Sequence, residues 1–182
     1  MALTETPATP LGSPAPDFEL SDPRGTTHRL SDHAGQITVV MFLCNHCPFV
    51  RHIADHLATF AARHQEDGVA FLAVNANDAE SYPQDGPGPM AEEANRRGYP
   101  FPYLHDADQT VARAYGAVCT PDFFVYDGAH RLAYRGRYDG SRPANDIPVT
   151  GEDLAATLEA LKAGRPAPAG APSMGCSIKW KR

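Results

Sequence analysis

A buried strand that runs straight into a helix through two cysteines is the feature that most restricts how this chain folds. Residues 37–43, Ile-Thr-Val-Val-Met-Phe-Leu, are β-branched and almost wholly apolar, the pattern of a central strand covered on both faces. Cys44-Asn45-His46-Cys47-Pro48 follows at once. Beyond it the apolar positions Phe49, Val50, Ile53, Leu57, Phe60 and Ala61 recur near the 3.6-residue period of an amphipathic helix. Pro48 suits the first turn of that helix, where no backbone N–H is needed, and Gly68 marks a position past its end.

The rest of the chain supplies partners for this unit. Residues 18–20 and 28–30 are expected as a small N-terminal hairpin extension, joined through the turn residues Ser21-Asp22-Pro23-Arg24-Gly25. Residues 69–74 repeat the buried-strand pattern, residues 75–89 form an irregular insertion rich in Pro, Gly, Asn and Asp, and a short helix covers 90–97. Asp108 is the expected N-cap of a helix through Val111, Ala112 and Tyr115, closed by Gly116. Residues 123–126 and 132–138 pattern as strands joined across Asp127-Gly128. Thr150 with Asp153 has the spacing of a capping box for a last helix that buries Leu154, Leu158 and Leu161 and stops at Gly164. That order gives an α/β fold: a mixed central sheet with helices on both faces and an insertion after the second core strand.

At 182 residues the length allows one full core. The expected organisation is a loose arm over 1–16, one domain over 17–164, and a tail over 165–182 docked on the domain through Trp180. No internal repeat is present.

Charge and composition then narrow the function. No apolar run approaches the roughly 18 residues of a membrane span. Residues 1–10 hold neither Lys or Arg nor a continuous apolar block, so no secretory signal is read there and the expected address is cytoplasmic. The net charge is −6 and the 16 Lys and Arg residues are scattered, which argues against nucleic acid as a partner. Four cysteines in a reducing compartment do not make a structural disulfide framework.

Two of the four are spaced for chemistry. A helix start offers unpaired amides and a positive dipole end that favour thiolate over thiol. Cys44 is placed to attack a disulfide, and Cys47, three positions on, to resolve the mixed disulfide. Asn45, His46 and Pro48 tune the pair, His46 by stabilising the thiolate. The expectation is a lowered Cys44 pKa, a stabilised dithiol and a correspondingly oxidising disulfide. A zinc site needs about four ligands and no second closely spaced Cys pair exists, so neither a metal nor any other bound cofactor is expected. His52 and His56 are expected as exposed, solvated side chains.

These residues resemble the thioredoxin-like proteins of the alkyl hydroperoxide reductase and thiol-specific antioxidant superfamily, in its peroxiredoxin-like branch. The marks are Pro14-Ala15-Pro16-Asp17-Phe18-Glu19-Leu20, Cys44-Asn45-His46-Cys47-Pro48-Phe49-Val50, residues 114–121 ending Cys119-Thr120-Pro121, and Ser173-Met174-Gly175-Cys176-Ser177-Ile178-Lys179-Trp180. The resemblance implies a three-layer thioredoxin-like fold, in which the thiolate stabilisation by His46 leads to an expected potential less reducing than an ordinary thioredoxin's. It also implies a cis Thr120-Pro121 bond facing the CxxC turn, with the Thr120 backbone free to pair with substrate. Two departures stand out. The Thr or Ser and the Pro that hold peroxide in true peroxiredoxins are replaced by Met41 and Ile37 counted from Cys44, or by Cys44 and Val40 counted from Cys47. The buried Asp that takes a proton in thioredoxins is replaced by Thr38.

Cys119 and Cys176 are candidate additional thiols, with packing of a strand end and a Trp180-docked tail as their plainer roles. The expected activity is thiol–disulfide exchange with a protein or low-molecular-weight thiol partner, recycled by a thiol reductant. The alternatives are an antioxidant thiol-dependent peroxidase, and a soft-metal or chaperone module holding an ion with Cys44, Cys47 and Cys176 or Met174.

Overall fold

A computed structural model describes residues 3–182. Its centre is the strand read from 37–43, β4 (Thr38–Phe42), every residue of which is buried. β4 pairs in parallel with β5 (Ala70–Asn75), and β5 in parallel with β6 (Tyr103–His105). On its other side β4 pairs antiparallel with β8 (Asp122–Tyr126), which pairs antiparallel with β9 (Leu132–Gly136). The central sheet is therefore mixed, in the order β6-β5-β4-β8-β9.

Alternation along β4 assigns its side chains to two cores. Val39 and Met41 meet Val50, Ile53, Leu57 and Phe60 of α1 (Pro48–Glu66) and Leu154 and Leu158 of α4 (Glu152–Lys162). Val40 and Phe42 face Val111, Ala112 and Tyr115 of α3 (Thr110–Tyr115), together with Phe18, Leu30 and Ile178. Each large apolar side chain sealed in this way contributes about 1.5–3 kcal/mol. Helices cover both faces, and α2 (Pro87–Arg97) follows the insertion.

The small hairpin forms from β2 (Glu19–Ser21) and β3 (Thr27–Arg29). β6 had no counterpart in the sequence pattern, because three residues are too few to show a period. Residues 3–16 depart from the expected loose arm. β1 (Leu3–Glu5) pairs antiparallel with β10 (Met174–Ser177), and β10 pairs antiparallel with β7 (Cys119–Thr120). Further along, the Gly12 N–H donates to Leu132 O at 2.7 Å and the Ala15 N–H to His130 O at 2.9 Å. Beyond β10, Trp180 lies under the Arg113 guanidinium, 4.5 Å from ring centroid to Cζ.

Several local expectations are corrected. At the start of α3 the Asp106 carboxylate accepts the Val111 and Ala112 N–H groups at 3.3 and 2.8 Å, while Asp108 accepts the Thr110 N–H at 3.1 Å. The residue before α4 is Gly151 and no capping box forms. Asp139 takes the Thr150 and Gly151 N–H groups, and Asp153 pairs with Arg137. The β8–β9 turn is longer than a two-residue hairpin, running from the Asp127 N–H to Arg131 O. His52 and His56 are half-buried and bonded, to Ser141 Oγ at 3.2 Å and to the Tyr138 hydroxyl at 2.7 Å.

Candidate active site

β4 ends two residues before Cys44, and Cys47 is itself the N-cap of α1 with Pro48 in its first turn. The strand-to-helix junction thus gathers the two sulfurs around one residue, Thr120. The Thr120 hydroxyl lies 3.2 Å from Cys44 Sγ, and Cys47 Sγ lies 3.2 Å from the Thr120 carbonyl oxygen. The Thr120–Pro121 bond is cis. Both sulfurs are nearly sealed, with Cys44 1% and Cys47 0% exposed, and none of the four cysteines is in a disulfide.

The electrostatics reverse one expectation. Hydrogen bonding from the Cys44 thiol lowers the Cys47 pKa to about 5, with further donation from the Cys176 thiol and from the Val50 and Cys176 amides, against the opposing effect of burial. Val50 N–H belongs to the first turn of α1, where amides have no helical partner. The Thr120 carbonyl opposes ionisation too, since the protonated Cys47 donates to it, but it is outnumbered by the four donors. Cys44 moves the other way: its bond to Cys47, burial and the Asp85 charge all raise its pKa. The field of the helix start therefore falls on Cys47, and the lowered pKa expected of Cys44 is not found there. The two thiols act as one coupled acid with the charge on Cys47.

Above Cys44 lies a polar cluster that the sequence pattern hid inside an irregular insertion. Asp85 sits in a short 3-10 turn (Pro83–Asp85) and its side chain has no exposed surface. Its carboxylate accepts the Asn45 N–H at 2.7 Å and an Asn77 Nδ2 hydrogen at 3.0 Å, and pairs with His46 Nδ1 at 2.5 Å. Burial alone would raise its pKa, but the bonds from His46, Asn77 and Asn45 outweigh burial and hold it below the usual value. The Tyr103 hydroxyl donates to Asn45 Oδ1 at 3.0 Å and accepts from Asn75 Nδ2 at 3.3 Å. Tyr82 stacks on His46, 5.6 Å between ring centres and 9° from parallel. A signal was available for part of this: Asn75 and Asn77, at the carboxyl end of a buried strand, are amides where apolar residues are the norm.

Thr120 also departs from expectation. Its backbone, expected to be open to a substrate, is already paired with Cys176 of β10. Cys176 is 4% exposed and its thiol donates to Cys47. Cys119 is fully buried, 4.0 Å from Pro121 O, and burial pushes its pKa up. Asn45 and His46 stand in the Asp85 cluster, on the Cys44 side of the pair.

As a metal set, Cys44, His46 and Asp85 bring one donor atom each to within 4.8 Å of one another. His46 and Asp85 already satisfy each other, so an ion would have to break that pair. Met174 turns its sulfur to Arg142 Nη1 at 3.2 Å.

Comparison with known proteins fits this geometry. The model of the AhpC/TSA family matches residues 11–135. The thiol-disulfide oxidoreductase ResA of Geobacillus thermodenitrificans (strain NG80-2) is 32% identical over 125 residues, 69% of this chain and 68% of that protein. The crystal structure of an uncharacterized conserved protein from Geobacillus kaustophilus superposes with a TM-score of 0.97 at 50% identity, over 100% of this chain and 97% of that one. The thioredoxin domain of a thiol-disulfide oxidoreductase from Bacteroides vulgatus, 17% identical, superposes with a TM-score of 0.61 over 74% of this chain and 91% of that one, a likeness of fold. The fold is thioredoxin-like, and the chain belongs to the AhpC/TSA family.

Proposed function

We propose that this protein is a thiol–disulfide oxidoreductase whose working groups are Cys44 and Cys47. The observation that carries the reading is the pair of sulfurs gathered on Thr120 at the head of α1, Cys44 Sγ 3.2 Å from its hydroxyl and Cys47 Sγ 3.2 Å from its carbonyl oxygen, with the lowered Cys47 pKa favouring charge on the sulfur at the helix start. The relationship to ResA supports the same activity class.

The two sulfurs divide the work by position. Cys44 lies on the side of His46 and Asp85, and Cys47 on the side of β10. A substrate disulfide enters by displacing His46, whose side chain is 18% exposed, and the Tyr82 ring stacked on it. Cys44 passes its proton to Cys47 and attacks one substrate sulfur. The Cys44–substrate bond forms, the substrate S–S bond breaks, and the first thiolate departs to be protonated by water. Cys47 then gives its proton to the second leaving sulfur and attacks Cys44 Sγ, forming the Cys44–Cys47 disulfide and freeing the second thiol. A thiol reductant returns the pair to the dithiol by the reverse exchange. The substrate is a protein or low-molecular-weight disulfide, and no cofactor takes part.

Because a stabilised thiolate favours the reduced pair, the disulfide is the better oxidant for it. The reading is tested by reduction of insulin and of a small aromatic disulfide by the wild type, Cys44→Ser and Cys47→Ser. The expected result is turnover by the wild type alone, with Cys47→Ser accumulating a mixed disulfide on Cys44. Full turnover by Cys44→Ser would overturn it.

A further inference from the structure

The strand β10 lies where the family resemblance implied a substrate, against the Thr120 backbone. Cys176 is the register partner of Thr120, and Ser177 of Cys119. This approach depends on the residue before Cys176. A Cβ at Gly175 would stand 2.0 Å from Thr120 O and 2.7 Å from Thr120 C, closer than any carbon can come, so only glycine lets the strand press against the Thr120–Pro121 segment. The effect is to deliver a third thiol, buried like the other two, beside Cys47, whose sulfur lies 3.2 Å from the Thr120 carbonyl that Cys176 pairs across. Cys47 thus has two sulfur neighbours, Cys44 and Cys176, each donating to it.

Resting on the dithiol reading above, we propose that Cys176 is a third redox thiol of the site, exchanging with the Cys44–Cys47 disulfide to give a Cys47–Cys176 disulfide and a free Cys44. Cys176 Sγ attacks Cys47 Sγ, the Cys47–Cys176 bond forms, the Cys44–Cys47 bond breaks with its electron pair going to Cys44, and the Cys176 proton ends on Cys44. The oxidation level does not change, so no further oxidant or reductant enters.

Cys119 is no equivalent partner: it lies beside Pro121 O. In the dithiol state burial, then the Cys47 hydrogen bond and charge, push the Cys176 pKa up to about 12. Once Cys47 is tied in a disulfide it carries no charge and accepts no strong hydrogen bond, and two of those three causes vanish. Cys176 is therefore quiet while the pair is reduced and released to react when it is oxidised. The exchange moves the disulfide from the His46–Asp85 side to the β10 side, binds β10 to the head of α1, and restores Cys44 as a thiol.

The test maps disulfides by mass after equilibrating full-length wild type, Cys44→Ser, Cys44→Ala and Cys176→Ser across a series of glutathione buffers, with acid quench and alkylation. Both Cys44 variants, checked for folding by circular dichroism, are expected to lose two free thiols per chain and yield a Cys47–Cys176 peptide. Oxidised wild type is expected to contain a second species labelled at Cys44, and Cys176→Ser to lack it. Free Cys47 and Cys176 in the folded Cys44 variants, with no label at Cys44 in wild type that has formed Cys44–Cys47, overturns the third-thiol role and leaves the dithiol reading standing. Wild type that forms no Cys44–Cys47 bond in any buffer overturns the dithiol reading, and the inference with it.

Discussion

The His46 imidazole and the Asp85 carboxylate meet at 2.5 Å, one partly exposed and the other fully buried. Asp85→Asn keeps the shape but removes the charge that raises the Cys44 pKa and one of the acceptors that Asn45, Asn77 and His46 use. Leaving a buried donor unpaired costs about 1–3 kcal/mol, so urea denaturation at neutral pH should show a loss of that size. Asp85 titrates below its unfolded value of 3.8, so its contribution is complete above that value and is lost as pH falls through the lower folded one. The gap between wild type and Asp85→Asn should therefore close in acid, and thiolate absorbance should place Cys44 lower in the variant.

Cys47 gives a second pH signature. Its pKa is lowered from 9.0 to about 5, so the folded reduced chain holds a thiolate through a range in which the unfolded chain binds a proton. The stability of reduced wild type measured against Cys47→Ser should climb as pH rises from 5 to 9, level off above 9, and vanish below 5. Ultraviolet titration of the reduced protein should count one thiolate per chain at neutral pH, absent in Cys47→Ser. A flat profile across that range would remove the charge from Cys47.

Behind Pro121, Arg135 and Asp122 form an ion pair at 3.0 Å with side chains 5% and 0% exposed. Arg135 also donates to Gly116 O at 2.8 Å and to Thr9 Oγ1 at 2.6 Å, joining the amino-terminal segment to the strand beside the site. Removing one member of a buried pair strands the other charge, at about 3–5 kcal/mol. Arg135→Ala should lose that much in chemical denaturation, and Arg135→Ala combined with Asp122→Asn should recover part of it.

The glycine beside Cys176 can be tested alone. Gly175→Ala places a methyl 2.0 Å from Thr120 O, and overpacking of this kind costs about 1–3 kcal/mol. β10 should yield first, since β7 is joined through Pro121 alone to β8 of the central sheet and cannot move without it. Alkylation of Cys176 in the native reduced protein should become at least tenfold faster than in wild type, about 1.4 kcal/mol in the opening equilibrium.

The strand, dithiol and helix were legible because each carries its own periodicity or spacing: β4 and α1 begin and end within two residues of the pattern that announced them. Cys44 and Cys47 were found for the same reason. What was hidden is long-range. Asp85 lies forty positions from Asn45 in a segment whose Pro and Gly content reads only as a loop, and no local rule says where a loop folds back. β1, β7 and β10 are four residues or fewer and exist through pairing across the whole chain. The direction of the Cys44 shift was missed because it depends on which sulfur the helix amides and Cys176 reach, and Cys176 is placed by that same distant pairing.

The tail carries its own reporter. The sequence has one tryptophan, and it is Trp180, seated on Arg113 just past β10. An indole leaving a guanidinium for water changes its emission, so departure of this strand from its neighbour is visible by intrinsic fluorescence, without a dye and without labelling any sulfur. A stopped-flow trace of that emission against added disulfide would time the motion of the carboxyl-terminal strand separately from the chemistry at the thiols.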